Sequence, residues 1–97
     1  MKKKELLATA IITNGQKQDE ICIEECAELI QAFQKIKRVD EYSAMACVEH
    51  LIEELVDVEI MIEQMKLRYP FQGLRERIET MKLNRLASSL GVTYDNA

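Results

Sequence analysis

The stretch IEECAELIQAF, residues 23–33, repeats its apolar positions with the period of an α-helix, with one exception. Extended to residues 17–38 and turned by about 100° per residue, it brings Ile21, Cys22, Cys26, Leu29, Ala32, Phe33 and Ile36 to one side. Glu25 falls inside that stripe, between Ala32 and Ile36, and Glu28 lies one turn on at its margin. Glu24 and Gln31 point away, as solvent residues should. A core stripe carrying a carboxylate requires an explanation.

A second long segment has the same fault. It starts near Ser43, a residue type that caps helix N-termini, and ends before Pro70. Val48, Leu51, Leu55, Val58, Ile62 and Met65 form one apolar stripe. Met45, Ile52, Val56, Ile60 and Leu67 form another, well separated around the helix. A helix apolar on two sides is expected to be buried on two sides. In a chain this short, one side would face another subunit. Glu54 borders the first stripe, near Cys47, Met61 and Met65, and Asp57 follows three residues later.

The acids therefore form two pairs, Glu25 with Glu28 and Glu54 with Asp57, each one helical turn apart. An unpaired buried carboxylate costs several kcal/mol or takes up a proton. Four facing one another would repel, so a positive group is expected between them. Lys35, Lys37, Arg38 and Lys66 could form salt bridges with them at helical spacing. Exposed ion pairs contribute little and do not by themselves explain a carboxylate in an apolar stripe. The alternative is a hard divalent cation, Mg²⁺ or Mn²⁺, which prefers oxygen ligands. Mg²⁺ keeps several waters, is often completed by substrate phosphates, polarises phosphoryl groups and acidifies bound water. That chemistry suits cleavage of a phosphoanhydride. Cys22, Cys26, Cys47 and His50 formally permit zinc, but the cysteines lie in apolar stripes and His50 points away from Cys47. The five Met read as gap-filling core.

The bulk numbers fit a single small domain, residues 1–97. With 47% hydrophobic and 31% charged residues, the chain reads as folded rather than disordered. Two further helices are expected, about Lys3–Thr13 ending at Asn14-Gly15, and about Phe71–Ser89 with Gly91 past its end. The fold class is thus all-α, an antiparallel bundle of about four helices completed by oligomerisation. Residues 91–97 are expected to be a loose tail. No apolar run approaches the ~20 residues of a membrane span. The basic start MKKKELLATAIITNGQ is interrupted by Glu5 and has no clear cleavage site, so it reads as a helix rather than a signal peptide. Three cysteines without loop-rich spacing suggest no disulfide framework, and a cytoplasmic location is expected. A net charge of -4 argues against a general nucleic-acid binder.

The motifs EECAEL and EELVDV, with 25 residues between Glu28 of the first and Glu54 of the second, resemble the paired E-x-x-E and E-x-x-D signature of the MazG-type all-α nucleotide pyrophosphohydrolases. That superfamily includes dimeric dUTPases, dCTP pyrophosphatases and phosphoribosyl-ATP pyrophosphatase. The lead-in NGQKQDEICIEECAEL is also similar, and the resemblance spans about Thr13–Leu90. It implies that Glu25, Glu28, Glu54 and Asp57 hold Mg²⁺, with Glu24 and Glu53 positioning water or ligands around them. It implies hydrolysis of a nucleoside triphosphate between the α and β phosphates, giving a monophosphate and pyrophosphate. It also implies a homo-oligomer, dimer or tetramer, with nucleotide bound between neighbouring subunits. Lys82 and Arg85, with Asn84, match loosely the basic residues that hold phosphates in the family's last helix. The alternative for Lys82 and Arg85 is favourable charge in the last turns of a helix. Lys35 and Arg38 are weaker candidates. The chain also looks like short relatives found in phage and prophage. Two other functions remain open: a catalytically silent helical interaction module, and a phosphoribosyl-ATP pyrophosphatase.

Overall fold

The computed structural model describes residues 1–38 and 44–95, and among these there are four α-helices and no strand. They are α1 (Lys3–Asn14), α2 (Lys17–Ile36), α3 (Ala44–Arg68) and α4 (Gln72–Ser89). The boundaries follow the local chemistry. Gly15 closes α1 at φ 53°, ψ -125°, donating its N–H to Ile11 O at 2.8 Å. That backbone region is open essentially to glycine alone. Pro70 follows the end of α3, and Gly91, at φ 72°, follows α4. The expected cap at Ser43 lies outside the described residues. Of the tail, residues 91–95 form no helix or strand.

The centre of the fold is the pairing of α2 with α3. The start of α2 meets the end of α3, so the two run antiparallel. There Asp19 accepts from Arg68 Nε at 2.9 Å and from the Tyr69 hydroxyl at 2.6 Å. Both donors hold the Asp19 carboxyl below its usual range, the tyrosine contributing most. Helix α1 packs mainly on α3 and buries Leu7. Helix α4 has no extensive packing against the other three, and Ala87 is its one buried residue.

The core is correspondingly small. Its buried apolar residues are Leu7, Ala32, Val58, Met61 and Ala87. The buried face of α3 carries Glu54, Val58, Met61 and Gln64. It lies roughly a quarter turn from the first apolar stripe read in the sequence. Val48 and Ile62 of that stripe are exposed. Phe33 and Cys26, expected in the core stripe of α2, are exposed as well. The reason is common to all four: they flank the α2–α3 contact, and a single chain offers nothing to cover them.

The second α3 stripe is also open. Met45, Ile52, Val56, Ile60 and Leu67 are all exposed. The chain exposes 7922 Å², against about 5,700 Å² expected for a compact monomer of its mass. Its radius of gyration is 17.1 Å, against about 12.5 Å for a globular domain of this length.

Candidate metal centre

The antiparallel pairing places the two acidic motifs opposite each other. One carboxylate oxygen each from Glu25 on α2 and from Glu54 and Asp57 on α3 lie within 4.8 Å of one another. Glu54 is the buried member, 9% exposed; Glu25 is half-buried, and Asp57 and Glu28 are exposed. Glu25 Oε2 and Glu54 Oε2 are buried without a hydrogen-bond partner.

The electrostatics follow from that crowding. Burial, more than anything else, raises the proton affinity of Glu25 above its ordinary value of 4.5. The negative charges of Asp57, Glu28 and Glu54 add to the effect, and the close approach of the Asp57 carboxyl adds a smaller part. Glu54 is raised first by burial and then by the charge of Glu28, whose close approach adds a smaller part. His50 opposes the shift at Glu54, its Nε2 standing 3.8 Å from Glu54 Oε1, beyond hydrogen-bond length. Glu28 thus joins the cluster through Glu54.

Salt bridging does not account for the cluster. Lys66 pairs with Glu63 at 3.5 Å, and Arg68 pairs with Asp19. Among the described residues, no Lys or Arg pairs with Glu25, Glu28, Glu54 or Asp57. A small hard cation does fit. The donors are all carboxylate oxygens, and two of them are buried and unpartnered. Ligands on opposite sides of octahedral Mg²⁺ stand about 4.2 Å apart, so small side-chain movements would close the 4.8 Å cluster on an ion. The soft alternative is not assembled: Cys22, Cys26 and Cys47 are free, burial keeps the Cys22 thiol protonated, and His50 lies against Glu54.

No family model, curated protein or solved structure matches this chain. The site therefore stands on its own geometry.

Glu24 and Glu53 are exposed beside the paired acids. Lys82, Asn84 and Arg85 are exposed on α4, which does not pack on α2, so a single chain does not join them to the acids. Lys82 instead lines a cleft of about 470 Å³ with Tyr69, Phe71, Leu74, Arg75 and Ile78. The last turn of α4 holds no basic residue; Arg85 stands just before it and Lys82 about a turn earlier, where the pull of the helix end is weaker.

Two site-supporting residues escaped the sequence reading. Gln18 and Gln64 are each 5% exposed and are joined by a 2.6 Å hydrogen bond from Gln18 Nε2 to Gln64 Oε1. The signal was their spacing: Gln18 lies seven residues before Glu25, and Gln64 seven after Asp57.

Proposed function

We propose that the chain is a Mg²⁺-dependent nucleoside triphosphate pyrophosphohydrolase of MazG type that works as a homo-oligomer. The observation that carries the reading is the juxtaposition of Glu25, Glu54 and Asp57, with two buried carboxylate oxygens lacking any partner. Glu25, Glu28, Glu54 and Asp57 would hold the ion, Mn²⁺ substituting for Mg²⁺. A bound ion there supplies Lewis-acid polarisation and acidified water. The chain's own groups do the rest. Glu28 and Asp57 present the exposed edge of the cluster, where a triphosphate can approach. Glu25 and Glu54, whose burial raises their affinity for protons in the metal-free chain, would be placed to take up the proton of an attacking water through an oxygen the ion leaves free. Lys82, Arg85 and Asn84 would meet phosphates only from a neighbouring subunit.

Self-association is supported by area. The surface in excess of a compact monomer is about 2,200 Å² per chain, well above the ~800 Å² per partner of a standard interface. An obligate assembly using the α3 stripe is the economical way to cover it.

The test is pyrophosphate release from a panel of NTPs and dNTPs, with Mg²⁺ and with EDTA. Metal-dependent release of pyrophosphate and monophosphate supports the proposal. No turnover on any substrate favours a helical interaction module, which the exposed apolar surface also suits. Turnover of phosphoribosyl-ATP alone identifies that pyrophosphatase instead.

A further inference from the structure

We infer that Gln18 and Gln64 are positioning residues, a buried amide pair that sets the α2–α3 register on which the acidic cluster depends. The inference rests on the proposed metal site for its functional meaning, but its geometry is independent. Antiparallel helices in register pair residues whose numbers run in opposite senses. Gln18 meets Gln64 at 2.6 Å. Seven residues forward on α2 and seven back on α3 stand Glu25 and Asp57, whose carboxylate oxygens lie within 4.8 Å of each other. Three further on each helix stand Glu28 and Glu54, the second acid pair. All three polar pairs share one register.

The acids cannot hold that register themselves. Their charges repel, and any slip that separates them relieves the repulsion. The apolar residues at the contact, Ala32, Val58 and Met61, have no direction and tolerate sliding. The amides do have direction. Asn14 Nδ2 donates to Gln18 Oε1 at 3.1 Å, which turns the Gln18 amino group toward Gln64. Gln64 Nε2 in turn reaches Met61 Sδ at 3.5 Å. A slip of one turn would set Gln64 against Ile21 and break the bond between the amides, leaving Gln18 Nε2 and Gln64 Oε1 buried without each other. Buried polar groups are known to fix register in paired helices in this way. Asp19, Arg68 and Tyr69 clamp the same helix ends, Asp19 and Arg68 from half-buried positions, and replacing the amides alone leaves that clamp in place.

The experiment compares the wild-type chain with Q18L/Q64L, which replaces both amides by apolar groups of similar size. Two readouts are taken at matched thermal stability. NOE contacts between the side chains of Glu28 and Glu54, recorded in EDTA, report register without any metal. Mn²⁺ titration followed by EPR reports the site. The expected result is a helical protein with an unchanged or higher Tm, lost or shifted Glu28–Glu54 contacts, and Mn²⁺ affinity reduced about tenfold or more. Retention of those contacts in Q18L/Q64L overturns the inference. So does wild-type Mn²⁺ affinity in the double variant. If the leucine variant does not fold, Q18N/Q64N is read in the same way, since it keeps polarity but shortens each arm by a methylene. If the wild-type chain binds no Mn²⁺, the metal reading fails, and the NOE contacts still decide whether the amides set the register.

Discussion

Glu54 combines burial, an unpartnered oxygen and three neighbouring carboxylates. Glu54→Gln keeps its shape and removes its charge. On the proposed function, turnover in the pyrophosphate assay should fall by about 10²-fold or more, because the proposed site would lose a metal ligand. The melting temperature in EDTA should rise, since like-charge repulsion is relieved. Unchanged turnover would remove Glu54 from the site. The same raised proton affinities give a pH dependence of definite sign. Glu25 and Glu54 bind protons more tightly folded than unfolded, so the folded state is favoured while both are protonated. That advantage is fully present below about 4.5 and is lost as pH rises through their elevated folded values. Metal-free protein should therefore melt progressively lower from pH 4.5 toward neutral, and Mg²⁺ should restore stability at neutral pH but not at 4.5. Differential scanning fluorimetry in EDTA and in Mg²⁺ reads both arms, and a flat profile would contradict the crowding of the acids. Gly15 gives a purely backbone prediction. An added Cβ there meets no atom within 4 Å, yet φ is 53° with ψ at -125°. Gly15→Ala should thus cost about 1–3 kcal/mol through strain alone, measurable by urea denaturation.

Among the elements, α3 carries two tasks on different faces, the acids toward α2 and the apolar stripe toward solvent. Val56→Asp with Ile60→Asp places charge in the middle of that stripe. The pair should convert the assembly to monomer in light scattering while leaving α-helical content largely intact. An unchanged mass would mean that another surface mediates association. The helices themselves were legible in the sequence because Gly15, Pro70 and Gly91 mark their ends. The facing acids were legible because helical phase is fixed within each segment. The angular setting of α3 was not legible. A helix with apolar residues on several sides gives no unique phase, and its buried face proved to be one carrying Glu54 and Gln64. Gln18 and Gln64 were not singled out in the sequence, because an isolated amide does not announce its partner. Phe33 looked like core because the sequence cannot say which subunit covers a stripe.

At the scale of the whole molecule, the chain exposes 7922 Å² and has five buried apolar residues among those described, which is the surface the proposed oligomer would cover. Stability should then depend on protein concentration, the melting temperature falling with each tenfold dilution as assembly is lost. A concentration-independent Tm, with a monomer mass in light scattering, would show that the open surface is tolerated as it stands. No helix among the described residues is long and apolar enough to cross a membrane.

The isolation of α4 has a kinetic side. An 18-residue helix with Ala87 alone buried lies near the length at which a lone peptide helix is marginal in water. Its amide protons should exchange as a block, early and faster on dilution, while those of α2 and α3 persist. Between Pro70 and Leu90 the chain should then be the segment that proteases cut first, and in the proposed oligomer contact with another copy would be what protects it.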